Sequence, residues 1–205
     1  MRENNLLCQP GLKLTARRMP AASKPRPVRA NQWWGIDMTK VLTQEGWAYV
    51  VLVVDWYTKK IVGHYAGEQS KAWHWLAALN KAVNRQFPGG LRESGVELNL
   101  MNDNGSQPTS RSFMQACSAL GIKQAFTSYC NPKGNADTER MMQTLKEELI
   151  WLCEWQTIGQ VKSGLDVFAE SFNENYLHSA LGYKTPNGFE QEHFEKEQAT
   201  LYSAA

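Results

Sequence analysis

Three acidic residues of this 205-residue chain have the types and spacing of a phosphoryl-transfer site. They are Asp37, Asp103 and Glu139, and 35 residues separate the last two. Carboxylates from separate elements repel one another and raise one another's pKa when they meet, unless a cation neutralises them. Mg²⁺ prefers carboxylate oxygens, and two such ions about 3.5–4 Å apart can clamp the attacking and leaving oxygens of a phosphoryl displacement. A converged triad of this kind would hold Mg²⁺ or Mn²⁺, as two ions.

The elements around these acids are predicted from hydrophobic periodicity. Asp103 closes an alternating run from Val96 to Met101, the pattern of a half-buried strand, and Asn104-Gly105 predicts a turn after it. An aspartate before Asn-Gly is also a common turn residue that hydrogen-bonds to its own backbone, so the pattern around Asp103 alone does not identify a catalytic acid. Asp37 lies within another alternating run, and Glu139 lies near the start of a predicted helix, offset from its apolar stripe.

The complete pattern predicts one α/β domain. Strands are predicted over residues 33–39, 47–57, 61–67, 96–101 and 123–128. Helices are predicted over residues 70–86, 110–121, 135–155 and 157–173, with Ser70 and Ser110 as N-caps of the first two and Met142, Leu145, Leu149 and Leu152 as the stripe of the third. The order begins with an antiparallel meander and predicts a mixed five-stranded sheet flanked by helices. Asp55 is interpreted as a structural acid at a strand end.

Charge divides the chain into an arm and a body. Residues 1–30 contain seven Lys/Arg, including Arg17 and Arg18, against one acid, and they are rich in proline. This composition indicates either a basic arm that contacts DNA phosphates or a solvated, disordered tail. Four scattered cysteines indicate free thiols, and the longest apolar run is too short to span a membrane. The expected location is therefore the cytoplasm, without a membrane partner.

Five blocks of the sequence resemble a known family. They read NQWWGIDMT at 31–39, NDNGSQ at 102–107, KGNADTE at 133–139, TLKEEL at 144–149 and HSALGYKTP at 178–186. Together they resemble the integrase-like catalytic core of bacterial insertion-sequence transposases, the second-frame product of elements encoded by two overlapping frames. These proteins are relatives of retroviral integrases and have an RNase H-like fold. The resemblance covers about residues 31–190 and implies that residues 191–205 form a tail.

The resemblance implies a function for the acidic residues. Asp37, Asp103 and Glu139 would be the catalytic and metal-binding DDE triad of a polynucleotidyl transferase. The implied reactions of DNA transposition and integration are nicking at the element's ends and strand transfer by a DNA 3′-hydroxyl. The implied partners are DNA, further copies of the chain and the first-frame protein, with association with the nucleoid.

DNA contacts are expected at several basic and polar residues. Lys146 lies two turns beyond Glu139 on nearly the same helix face, as a phosphate contact or as an ordinary surface lysine. The other expected contacts are Lys133, Asn135 and Arg140 near the helix start and Arg17 and Arg18 in the arm. Residues 1–30 are interpreted as the remnant of a DNA-binding region of helix-turn-helix type.

Two alternatives stay open at this point. One is a nuclease of the same fold, such as an RNase H or a junction resolvase. The other is a truncated, non-catalytic protein that binds DNA or a partner transposase and regulates it. The triad with its surrounding blocks favours the transposase core over both.

Overall fold

The computed structural model describes residues 17–18, 25–127 and 132–203. The strands are β1 (Arg17–Arg18), β2 (Trp33–Thr43), β3 (Gly46–Asp55), β4 (Ile61–Gly67), β5 (Asn99–Asn102) and β6 (Lys123–Phe126). The helices are α1 (Ala72–Gln86), α2 (Arg111–Leu120), α3 (Ala136–Glu148), α4 (Ile158–Asn175) and α5 (Pro186–Ser203). Short 3₁₀ turns lie at Pro132–Asn135, Ile150–Leu152 and Ser179–Leu181.

The strands form one mixed sheet in the order β1-β6-β5-β2-β3-β4. The pairs β2–β3 and β3–β4 are antiparallel, which confirms the predicted meander, and the pairs β2–β5, β5–β6 and β1–β6 are parallel. The five predicted strands are present. The two-residue β1 adds a sixth from the basic arm, paired through its backbone with β6.

Helices cover both faces of the sheet. Alternate residues of β3 point to opposite sides, so Val51 and Val53 pack with α1 and α2, whereas Val50 and Leu52 pack with α3 and α4. Both sides are well filled, since β3 is buried along most of its length. A continuous apolar run is what a strand buried on both faces requires.

The side chain of Asn173 covers the outer edge of the sheet at the start of β4. Its amide donates to the carbonyl of Ile61 and accepts from the N–H of the same residue, both at 2.9 Å. This buried pair satisfies backbone groups that an edge strand would otherwise leave exposed.

Several predicted boundaries are wrong. The N-cap of α1 is Lys71 and not Ser70, and the Nδ1 of His74 accepts the Lys71 N–H at 3.1 Å. The strand before Asp103 begins at Asn99 and not at Val96. Residues 191–203, predicted as part of a tail, lie within helix α5.

The helix that carries Glu139 is also shorter than predicted. It ends at Glu148, where Leu149 leaves helical geometry (φ −132°, ψ −60°), and Leu152 is 72% exposed and not part of the buried stripe. In contrast, α2 begins and ends where expected, with Ser110 accepting the Phe113 N–H and Gly121 in the left-handed conformation.

Two of the four cysteines lie in the described residues, and both are free thiols, Cys117 buried and Cys153 exposed; Cys8 and Cys130 lie outside them. Within the described ranges, the helices are all too short or too polar to cross a membrane.

Candidate active site

The parallel pair β2–β5 brings two of the predicted acids level with each other. Its register pairs Gly35 with Met101, and β5 ends one residue later at Asn102. Two residues further along both chains, this register leads to Asp37 on β2 and Asp103 just beyond β5. Asp103 therefore lies at the carboxyl end of a parallel strand, where α/β sheets collect their functional groups.

The third acid reaches the site because α3 packs closely against β2 at Gly35. A Cβ at this position would overlap the Oγ1 of Thr138 and lie 2.5 Å from the Nε1 of Trp56. With glycine there, the Trp56 indole donates to Thr138 across the gap at 2.9 Å. Glu139 follows Thr138 directly, and Asp37 lies two residues beyond Gly35 on the α3 side of the sheet.

The charges of the other two acids act on Asp37. The pKa of Asp37 rises to about 6, first because the side chain is buried, and also because of the charges of Asp103 and Glu139. A hydrogen bond from the Met38 N–H (2.7 Å) and the positive charge of Lys146 lower it in part. Asp103, Glu139 and the half-buried Lys146 are therefore near enough to Asp37 for their charges to act on it.

The loop that carries Asp103 is fixed by its own polar residues. Asp103 itself is exposed, and its Oδ1 accepts the Gly105 N–H at 3.0 Å, as expected of a turn residue. Asn102 is fully buried and its amide donates to the carbonyls of Leu100 (3.1 Å) and Ala125 (3.3 Å). The amide of Asn104 donates to the Thr127 carbonyl at 2.7 Å.

Gln107 fixes the far end of this loop. Its Nε2 donates to the Oγ (2.8 Å) and the carbonyl (3.2 Å) of Ser70, whose hydroxyl contacts the sulfur of Met38 at 2.9 Å. Sequence reasoning did not give roles to Asn102, Asn104 and Gln107, although all three lie in the block around Asp103. The available signal was their polar type, with Asn102 at the end of a strand and Asn104 and Gln107 in the loop that follows.

Comparisons with known proteins agree with this arrangement. A family model described as "Integrase core domain" matches residues 27–132, and a second model with the same description matches residues 120–186. The transposase of insertion sequence element IS904 from Lactococcus lactis is 28% identical over 162 residues, which are 78% of this chain and 62% of that protein. A 31 kDa protein of insertion element IS600 from Shigella sonnei is 30% identical over 171 residues, which are 82% of this chain and 60% of that protein.

The chain belongs to the integrase core domain family. The predicted family is thereby confirmed. This integrase core spans about three fifths of the length of the two insertion-sequence relatives.

Solved structures show the same fold. A simian T-cell lymphotropic virus intasome superposes with a TM-score of 0.66 at 18% identity, covering 85% of this chain and 59% of that one. The integrase catalytic core of HTLV-2, in complex with magnesium, gives a TM-score of 0.59 at 15% identity, covering 80% of this chain and 99% of that one. The predicted RNase H-like α/β fold is confirmed.

The triad of this integrase core has the chemistry of a divalent-cation site. As the side chains stand, no group of three acidic, histidine or cysteine residues in the described ranges is close enough to ligate one ion together. The donors nevertheless fit a hard cation, because all are carboxylates and because a cation would relieve the repulsion that raises the pKa of Asp37. Asp103 and Glu139 are exposed, so packing does not prevent their side chains from turning toward Asp37.

The predicted DNA contacts near the start of α3 separate into two groups. Asn135 is only 3% exposed, so its side chain does not lie at the surface, and the DNA contact predicted for it stays a prediction. Its burial follows from the close packing of α3 on Gly35, because the Asn135 Oδ1 lies 3.1 Å from where a Cβ would be. Arg140 is exposed but lines a small cavity beside His178 and Asp137, on a side of α3 turned away from Asp37.

The remaining predicted contacts stay predictions. The backbones of Arg17 and Arg18 pair with β6, and Lys133 lies in the 3₁₀ turn before α3. The side chains of these three residues lie outside the described part of the structure.

Proposed function

We propose that this chain is the catalytic core of an insertion-sequence transposase, a metal-dependent polynucleotidyl transferase that nicks and joins DNA. The observation that carries the proposal is the arrangement of three elements, since the β2–β5 register and the packing of α3 on Gly35 direct Asp103 and Glu139 toward Asp37, whose pKa their charges raise. The names of the insertion-sequence relatives support it. Binding of DNA, assembly with further copies, association with the nucleoid and contact with a first-frame partner are parts of this proposal.

Asp37, Asp103 and Glu139 would hold two Mg²⁺ or Mn²⁺ ions. When bound, such ions supply positive charge to the attacked phosphate and favour the ionised form of the attacking water. The chain's own contribution is placement, since Asp37 is fixed in the central sheet while Asp103 and Glu139 border the solvent from which DNA approaches. Lys146 would neutralise a neighbouring backbone phosphate.

Both proposed reactions are displacements at phosphorus. In nicking, the oxygen of water forms a bond to phosphorus and the bond to the 3′ oxygen breaks, which leaves a 3′-hydroxyl. In strand transfer, that hydroxyl attacks a target phosphodiester, so one phosphorus–oxygen bond forms as another breaks. Strand transfer needs no high-energy cofactor, because the number of phosphodiester bonds is unchanged by it.

The proposal is tested by metal-dependent nicking of supercoiled plasmid, followed by end joining with the element's termini. We expect Asp103→Asn and Glu139→Gln each to lower the Mn²⁺-dependent rate by about 100-fold or more, the effect of losing a few kcal/mol of transition-state stabilisation. Glu148→Gln is the matched control, because this exposed glutamate lies on the opposite face of the same helix and its loss should leave the rate unchanged.

Equal nicking by wild type and both triad variants would contradict the assignment. Selective cleavage of RNA–DNA hybrids or of DNA junctions, without end joining, would replace it with a nuclease function of the same fold.

A further inference from the structure

The β2–β3 hairpin projects beyond the candidate active site. Pairing between β2 and β5 stops at Gly35, whereas β2 continues to Thr43 and pairs with β3 as far as Gly46. The end of the hairpin therefore extends past the level of Asp103.

The two faces of the projecting hairpin differ in packing. Val41 and Ala48 are buried against the layer formed by α3 and α4. On the opposite face, Leu42 is 62% exposed and Trp47 is 45% exposed, although they are cross-strand partners near the hairpin end. The Nζ of Lys40 lies 4.4 Å from the centroid of the Trp47 ring.

This exposed face continues across the sheet to the start of α1. Tyr49 pairs with Lys40 on one side and Gly67 on the other, and Trp73 of α1 is 53% exposed. The ring of Trp73 packs edge-on against that of Tyr65 in β4, with centroids 5.9 Å apart. We call the set Lys40, Trp47, Tyr49 and Trp73 the aromatic face.

The aromatic face is connected to the loop that carries Asp103. Ser70 precedes Trp73 by three residues, accepts hydrogen bonds from Gln107 and contacts Met38, the neighbour of Asp37. The aromatic face lies on the α1 side of the sheet, opposite to Asp37, and these contacts join it to the Asp103 loop at the carboxyl end of β5.

The chemistry of this face fits unpaired bases better than a protein partner. Lys40 lies over the Trp47 ring, which is 45% exposed, and the exposed Lys71 adds a second positive charge beside Trp73. Lysine is depleted from the centres of protein interfaces, whereas aromatic rings with basic neighbours bind single strands. Glu45, at the hairpin turn, accepts the Ile158 N–H at 2.9 Å and is thereby directed to α4.

We infer that the aromatic face binds single-stranded DNA next to the active site, with Trp47 and Trp73 stacking on unpaired bases and Lys40 contacting a phosphate. The inference rests on the proposed function for the origin of the strand, which is the DNA displaced or frayed where the ends are cut. Duplex DNA does not present open base faces, so the rings distinguish the two forms.

The inference is tested by fluorescence anisotropy with a labelled single-stranded oligonucleotide and the blunt duplex of the same sequence, without divalent metal. We expect Trp47→Ala and Trp73→Ala each to weaken single-strand binding about tenfold and duplex binding less than about twofold, as stacking losses predict. Lys40→Ala should reduce the slope of log affinity against log salt by about one. Trp151→Ala is the matched control, because this tryptophan is 63% exposed in the link between α3 and α4.

Single-strand binding by Trp47→Ala and Trp73→Ala that equals that of wild type and of Trp151→Ala would overturn the inference. A dimer of the wild-type protein that light scattering no longer detects in these variants would also overturn the inference, because the aromatic face would then be an interface between copies. If the variants bind single strands as wild type does while the wild-type protein nicks DNA with Mn²⁺, only the role of the aromatic face is refuted. If Trp47→Ala and Trp73→Ala lose single-strand binding but neither wild type nor any variant nicks DNA, the role of the aromatic face is supported and the proposed function is refuted.

Discussion

Asp37 and Asp55 are two interior aspartates on adjacent strands, β2 and β3. Burial is the largest cause of a raised pKa in both, and in both the pKa is about 6. Each also has a carboxylate neighbour that raises its pKa, Glu190 in the case of Asp55, but the two differ in how many hydrogen bonds they accept and in how many charges act on them. An elevated pKa therefore does not distinguish a reactive acid from a structural one, whereas the groups that face each carboxylate do.

Asp55 is surrounded by donors. It is fully buried and accepts three backbone N–H groups, from Asn31 (2.6 Å), Tyr57 (2.7 Å) and Thr58 (3.1 Å). These bonds close the turn between β3 and β4 and fasten it to the segment that leads into β2. The prediction of a structural acid is consistent with this arrangement.

Asp37 is surrounded by charge. It accepts one N–H, from its own neighbour Met38, and faces the negative charges of Asp103 and Glu139 and the positive charge of Lys146. A cation at this position would remove the repulsion, whereas a cation at Asp55 would compete with hydrogen bonds that are already made. The difference predicts opposite responses to mutation.

Removal of the Asp55 charge should have the largest effect on stability. Asp55→Asn replaces one acceptor oxygen by an amide donor that faces backbone N–H groups, and we expect a loss of about 3 kcal/mol in the free energy of unfolding. Urea denaturation measures it. Asp166→Asn, at a surface ion pair with Lys81, is the control and should change stability by less than about 1 kcal/mol. Equal stability of Asp55→Asn and wild type would show that the donors do not hold the turn.

Metal affinity should depend on pH through Asp37. Because protons compete with the cation for a carboxylate whose pKa is about 6, Mn²⁺ affinity should rise about tenfold per pH unit as pH increases toward 6 and level off above it. Calorimetric titration at several pH values measures this dependence. In Glu139→Gln one repelling charge is gone, so the rise should move to lower pH. A flat profile in the wild-type protein would contradict the raised pKa.

Removal of the Asp37 charge should stabilise the metal-free fold. The folded-state pKa lies above the unfolded value of 3.8, so ionised Asp37 costs stability above pH 6, and this cost disappears below about pH 4. Asp37→Asn should therefore raise the free energy of unfolding by about 1 kcal/mol at alkaline pH, allowing for partial exposure, and leave it unchanged in acid. Destabilisation at alkaline pH would place Asp37 in the same class as Asp55.

Loss of the Lys146 charge should have the smallest effect. Because that charge lowers the pKa of Asp37, Lys146→Ala should shift the pH profile of Mn²⁺ binding to higher pH by a few tenths of a unit, as expected for a weakly screened neighbour. Lys146→Gln should cause the same shift, since the shift arises from loss of the positive charge. A shift to lower pH would show that Lys146 does not act on Asp37.

The sequence predicts much of the sheet because its signals are local. Alternation of apolar residues located the meander, and β4 has the predicted bounds, Ile61–Gly67. The cap at Ser110 and the left-handed Gly121 bound α2 by chemistry within a few residues of each end. Such signals need no partner elsewhere in the chain.

The errors arise where distant contacts decide. The apolar spacing continues past Glu148, but the chain turns there and the N–H of Gln44 donates to the carbonyl of Trp155 from the tip of the β2–β3 hairpin. Helix α5 has no apolar stripe from which it could be predicted. It is held in place by the ion pair of Glu190 with Lys60 and by packing of Phe189 on Tyr57.

The site shows the same division. The spacing of the three acids and the blocks around them predicted the acids whose charges act on Asp37, because those blocks are contiguous in sequence. The burial of Asn135 depends on the absence of a side chain at Gly35, more than ninety residues earlier, and the direction of Arg140 depends on the rotation of α3 about its axis. Neither could be read from periodicity.

The most direct test of the account is a crystal of the protein soaked in Mn²⁺, with anomalous scattering recorded at the manganese edge. We predict a peak between the carboxylates of Asp37 and Asp103, with Glu139 turned toward it, and no peak at Asp55. The same soak of Asp103→Asn should lose the peak. Manganese at Asp55, or a triad that stays empty while the carboxylates remain apart, would contradict the assignment of Asp37, Asp103 and Glu139 as the catalytic site.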